Sequence, residues 1–244
     1  MPIILGVRHL MNIDISKYSL FKEYKINSLS LLSAQGFSNK NYRFDYQENT
    51  YLLRTFILPD RDRELEYKIQ TLAYEKGIAA KPFLLDIDND LMICEFLEGE
   101  HKEVLSREEL KQIVAILKKL HTIKIDSGNM ELVTLFTTQN KEVKNAFSTL
   151  EKHPKEMVLC HNDLNPKNIL FSSYDVKFID WEFAGMNDLY FDLASVSVEF
   201  ELSVLDEAYF LANYFLMDGW NKDKLEAYKV IYKDLCKQWF KENT

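Results

Sequence analysis

The hydrophobic periodicity of this 244-residue chain changes near residue 97, and that change restricts it to an α+β plan in two parts. Before the change, Tyr42, Phe44 and Tyr46 alternate with Arg43, Asp45 and Gln47, the period of a half-buried strand. Residues 26–32 and 50–56 read as flanking strands, with Glu48-Asn49 as the turn into the latter. Residues 82–85 and 91–96 read as two more across Asp88-Asn89-Asp90. One helix interrupts them: from about Asp62, Leu65, Ile69, Leu72 and Ala73 share a face, and Gly77 ends it. After the change, Ser106 and Glu109 form a capping box ahead of the stripe Leu110, Ile113, Val114, Leu117 and Leu120. Two short apolar runs, 169–171 and 176–179, precede amphipathic segments over 190–201, 205–217 and 223–241. The expectation is a β-rich lobe over 1–97, with five strands and one helix, and a mainly helical lobe over 98–244, with a cleft at their join.

Composition narrows the function classes. A net charge of −8 leaves no basic surplus for general nucleic-acid binding, whereas it suits a cationic small molecule as well as plain solubility. No apolar run approaches the roughly 18 residues that span a bilayer, so no membrane insertion is expected. Cys94, Cys160 and Cys236 lie far apart without a C-x-x-C pair, the pattern of reduced thiols in a cytoplasmic protein. The apolar opening 1–5 is too short for a signal-peptide core, and Met11 is an alternative start.

The chemistry concentrates in 161–182. Phosphoryl transfer needs a carboxylate at the attacking hydroxyl, ligands for magnesium, and cations or amides around the phosphates. In His161-Asn162-Asp163-Leu164-Asn165-Pro166-Lys167-Asn168, Asp163 and Asn168 stand five apart, the spacing of a kinase catalytic loop. A short hairpin then leads to Ile179-Asp180-Trp181-Glu182. An acid ending an apolar strand is costly unless paired or bound to metal, and magnesium accepts such carboxylates. Taken singly, Asp163 reads as a turn residue and Asp180 as a helix cap. Their order and spacing together indicate a kinase site.

These residues, with Phe183-Ala184-Gly185-Met186-Asn187-Asp188 and Phe191-Asp192-Leu193-Ala194, resemble the choline/ethanolamine kinase family. The bacterial choline-kinase branch of the aminoglycoside-phosphotransferase-like group is the nearest match, from about residue 30 to 240. The resemblance implies a bilobal protein-kinase-like fold, ATP and Mg2+ as cofactors, and Asp163 as the catalytic base. It implies Asn168, Asp180 and Glu182 at the metal, with His161 and Asp192 in structural roles around the loop. Gly36, Ser38 and Asn39 fall in the nucleotide-covering loop, Arg54 at the phosphates with Glu66 as its helix partner, and Glu95 to Leu97 where adenine is met. His121 also recurs in the family pattern, and its own reading is a packed core residue.

For the substrate, the resemblance places Glu199 and Phe200 as an acid–aromatic pair and Trp239 as an aromatic wall, suited to a quaternary ammonium group. The family's other tryptophan position holds Cys236, a departure that opens the cation pocket to question. Read alone, Tyr228, Tyr232 and Trp239 are helical core aromatics. The expected activity is ATP-dependent phosphorylation of choline or a related amino alcohol. The alternatives are another alcohol (thiamine, a sugar or an aminoglycoside) or a non-catalytic binding protein that kept the fold. The oligomeric state, monomer or homodimer, is left open.

Overall fold

The computed structural model describes residues 14–22, 29–33, 38–59, 61–173, 175–216 and 219–243, which pack as two compact units. The first comprises Met1–Asp60 and Phe83–Phe96, the second Arg61–Pro82 and Leu97–Thr244.

The first unit is built on a sheet of β1 (Ser30–Leu31), β2 (Asn39–Tyr46), β3 (Asn49–Phe56), β4 (Pro82–Asp86) and β5 (Leu91–Glu95), in the order β1-β2-β3-β5-β4. The antiparallel register sets Tyr42 opposite Leu53 and Phe44 opposite Tyr51. The alternation of β2 thus buries Tyr42 and Phe44 while Arg43 and Asp45 face outward. The β2–β3 turn is Gln47-Glu48, one residue earlier than the sequence suggests. Gln47 takes the left-handed φ of +54°, and Asn49 already pairs with Tyr46. Phe21, from a short 3₁₀ turn, seals this core edge-on against Phe44, Tyr46 and Tyr51, with centroids 5.1–5.5 Å apart. Of the strand expected over 26–32, residues 30–31 are observed, and 23–28 lie outside the described residues.

The second unit opens with α1 (Arg63–Glu75). Asp62 caps it by accepting the Leu65 amide at 2.9 Å, and Gly77 at φ +73° ends it. This is the helix expected in the 1–97 lobe, yet it packs with the second unit. Ile69, Ala73 and Ile78 join the core built by α2 (Arg107–Leu120), and Phe178 donates its amide to Ile78 O at 2.9 Å. Both halves of the Ser106–Glu109 capping box are formed. Next come α3 (Lys141–Leu150), β6 (Met157–Cys160), β7 (Ile169–Phe171), β8 (Val176–Phe178) and β9 (Gly185–Asp188). The unit closes with α4 (Leu189–Glu199), α5 (Val204–Phe215) and α6 (Lys222–Asn243). Two antiparallel ribbons, β6–β9 and β7–β8, carry the loops of interest. Among the described residues no helix is long and apolar enough to cross a membrane, and Cys94, Cys160 and Cys236 form no disulfide.

Because the capping box satisfies two amides at the head of α2, Ser106→Ala should lower stability by about 1 kcal/mol. Urea unfolding checks this, and an unchanged midpoint would count against it.

Candidate active site

The loop from His161 to Asn168 leaves β6 and returns as β7, and a buried carboxylate on α4 shapes its start. Asp192 is wholly buried. Its Oδ2 accepts the His161 amide at 2.9 Å and its Oδ1 the Asn162 amide at 2.9 Å. The same Oδ2 accepts from His121 Nε2 at 3.2 Å, and the Tyr214 hydroxyl donates to His121 Nδ1 at 2.6 Å. A buried carboxylate is tolerable only with such donors. Cys160 Sγ lies beside His121 and Asp192, so these three side chains offer metal-ligand atoms within 4.8 Å of one another. They are already engaged, with Cys160 donating toward Asn187 O and Asp188 O, and burial pushes its thiol well up. The grouping is a hydrogen-bonded core.

The second loop, after β8, is cross-tied to the first. Ile179 donates its amide to Asn168 O at 3.0 Å, and His161 Nε2 donates to Ile179 O at 3.0 Å. Burial lowers the basicity of His161, whose ring rests on Trp181 at 4.8 Å, so it is a neutral packing and bonding group. Asn162 adopts φ +66°, a left-handed position that Asn tolerates. Its side-chain Nδ2 donates to Phe183 O at 3.0 Å, and its Oδ1 accepts from Asn187 Nδ2 at 2.9 Å. Asp180 is also left-handed, at φ +65°, where the chain turns out of β8.

Asp163 stands between these loops, partly buried. Its carboxylate accepts from Asn165 Nδ2 at 3.0 Å and from Asn168 Nδ2 at 2.7 Å. Burial above all, then the charge of Asp180, pushes its carboxyl up to about 6. The two amides pull the other way, and Glu182 adds a smaller push. Three acids thus crowd one another, and a cation relieves that repulsion. Asn168, Asp180 and Glu182 offer the all-oxygen donor set that a hard divalent cation takes.

Glu66 is buried on α1 with its Oε2 2.6 Å from Arg63 Nη1. In the first unit, Ser38 and Asn39 are buried at the head of β2. With its oxygen turned toward β3, the Asn39 side chain accepts from Arg54 Nη2 at 2.7 Å and donates to Ser38 O at 3.0 Å. Arg54 itself is buried opposite Asn41. Glu95 closes β5 and Leu97 begins the second unit's long segment, while Gly36 lies outside the described residues.

Also in the second unit, Glu199 ends α4 and its Oε1 accepts from the Tyr232 hydroxyl at 2.9 Å. Burial pushes its carboxyl up, against the pull of that bond. Phe200 caps α4 and is buried in the core; Trp239 is half-buried on α6, edge-on to Phe240. Cys236 lies one turn beyond Tyr232. Its thiol is pushed up to about 12, chiefly by burial and further by the charges of Glu199 and Asp163, while a hydrogen bond with Tyr232 opposes this. One electrostatic neighbourhood therefore contains Asp163, Glu199, Tyr232 and Cys236. Sequence reasoning missed Asn165 and Tyr232 as working polar groups. Only the position of Asn165 inside the motif hinted at its part.

The family model described as the phosphotransferase enzyme family matches residues 31–228. Protein LicA of Haemophilus influenzae is 26% identical, over 89% of this chain and 71% of that protein. Ethanolamine kinase 1 of Mus musculus is 28% identical, over 81% of this chain and 65% of that protein. Among solved structures, choline kinase LicA from Streptococcus pneumoniae matches with a TM-score of 0.74 at 25% identity, covering 88% of this chain and 86% of that one.

The raised carboxyl of Asp163 has a stability consequence. Its folded value, about 6, lies above the unfolded value of 3.8, so the fold favours the protonated form. That contribution is full below pH 3.8 and is lost as pH rises through about 6. In metal-free buffer, the Tm of the wild type relative to Asp163→Asn should therefore fall between pH 4 and pH 7. A Tm difference independent of pH would contradict the assignment.

Proposed function

This chain belongs to the phosphotransferase enzyme family, and from that premise we propose that it transfers the terminal phosphoryl group of ATP to the hydroxyl of choline or a related small amino alcohol. The observation that carries this reading is the pairing, in one electrostatic neighbourhood, of an oriented carboxylate, Asp163, with a second half-buried carboxylate, Glu199. A small molecule with a hydroxyl at one end and a cation at the other satisfies both. The similarity to LicA and ethanolamine kinase supports the same substrate class.

In this reading Asn165 and Asn168 aim the Asp163 carboxylate, which accepts the hydroxyl proton as the oxygen attacks phosphorus. Its raised carboxyl value brings it nearer neutrality, where a base takes a proton more effectively. Asn168 and Asp180, with Glu182 beside them, would hold Mg2+, which would supply positive charge against the negative charge of the phosphates. Arg54, Ser38, Asn39 and Gly36 are assigned to the nucleotide's phosphates, and Glu95 and Leu97 to its base, on the family pattern. Asp192 and His161 hold the loop in shape. Glu199 and Phe200 are assigned to the cationic end as an acid–aromatic pair, with Trp239 as an aromatic wall.

ADP release measured against choline, ethanolamine, thiamine and an aminoglycoside tests the proposal, with choline or ethanolamine expected as the best acceptor. Turnover only of thiamine or the aminoglycoside would reject the substrate class and keep the kinase. Asp163→Ala should reduce kcat by about 10²–10⁴-fold. Glu199→Gln should raise KM for the cationic alcohol more than it lowers kcat, and an unchanged KM would remove Glu199 from the substrate's cationic end.

A further inference from the structure

Arg63, the first residue of α1, is buried, only 7% exposed, and lies between two acids. Its Nη1 is 2.6 Å from Glu66 Oε2 and 3.4 Å from Glu182 Oε2, and the Glu182 side chain is itself 4% exposed. Two residues earlier, the Arg61 guanidinium sits over the ring of Phe183 with 4.5 Å to its centroid. The head of α1 thus grips two consecutive residues that directly follow Asp180 and Trp181. Asn162 Nδ2 also donates to the Phe183 carbonyl.

The electrostatics give this grip a purpose. Asp180 and Glu182 both push on Asp163, so the loop carries a concentration of negative charge that tends to splay apart. A guanidinium is planar, always charged and able to serve two carboxylates at once, which suits a buried bridging place. Removing it leaves Glu66 and Glu182 buried with a missing counter-charge, and the segment beyond Asp180 loses its anchor to α1.

We propose that Arg63 is a positioning residue for phosphoryl transfer: by sharing its guanidinium between Glu66 and Glu182, it fixes the segment that carries Asp180 and so presets that carboxylate for a divalent cation. The proposal rests on the reading of Asp180 as a cation-holding residue and is independent of which alcohol is phosphorylated. Groups that orient metal-holding side chains typically change metal affinity about 10–100-fold when removed.

The test uses the full chain with Mn2+ as probe, followed by electron paramagnetic resonance in the presence of ADP and without any alcohol. Arg63→Gln is expected to weaken Mn2+ binding about tenfold or more. Arg63→Lys, which keeps the charge but not the fork, should fall between that variant and the wild type. Circular dichroism establishes that each variant is folded. Wild-type Mn2+ affinity in folded Arg63→Gln overturns the proposal, even if its Tm is lower, because a merely structural ion pair would give that result. Where Arg63→Gln does not fold, Arg63→Lys decides: weakened Mn2+ binding supports the role, and wild-type affinity overturns it. Mn2+ binding by a wild type that phosphorylates none of the alcohols rejects the substrate reading alone. Absence of Mn2+ binding by the wild type rejects both.

Discussion

The candidate site depends on one buried charge, the Asp192 carboxylate on α4. Fully enclosed, it is stable only because His161 and Asn162 each donate a backbone amide and His121 donates from its ring. Those bonds fix the start of the loop, and the left-handed turn at Asn162 then throws Asp163 forward. A loop free of that constraint would have no reason to hold Asp163 where two asparagine amides can reach it. The desolvation of one acid is thereby used to orient another.

A second layer of the same physics concerns repulsion. Asp163, Asp180 and Glu182 are brought together by cross-ties between two loops, Ile179 to Asn168 and His161 to Ile179. Burial above all, and then the charges of Asp180 and Glu182, push the carboxyl of Asp163 up. The chain offsets this with the side-chain amides of Asn165 and Asn168 and with the guanidinium of Arg63 on Glu182. What remains is an oxygen-lined place whose charge suits a divalent cation.

Much of this was legible in the sequence where the signals are local. The five-residue step from Asp163 to Asn168 is spanned within one loop, so their contact follows from the motif. The capping box at Ser106 and the stripe of α2 are likewise short-range and stand as read. The strand β9, Gly-Met-Asn-Asp, carries no strand propensity, and β6 and α3 also escaped the reading. β9 exists because β6 supplies the pairing, Val158 opposite Asn187, and because Asn187 bonds to Asn162. Tyr232 looked like a core aromatic, and it is buried, but its hydroxyl partner Glu199 lies 33 residues away. Arg63, at a helix start, carries no local signal of burial in the sequence. Its burial depends on Glu182, 119 residues downstream.

The sequence by itself determined the change from a strand-rich to a helical part, the catalytic-loop spacing, and the family to which these motifs point. Those features arise from periodicity and from hydrogen bonds spanning a few residues, which the local order of side chains dictates. The tertiary structure decided which unit α1 packs into, which donors surround each carboxylate, and which polar groups are buried. Burial and Coulomb interactions depend on distance in space, and residues far apart along the chain set that distance only once the core has closed around them.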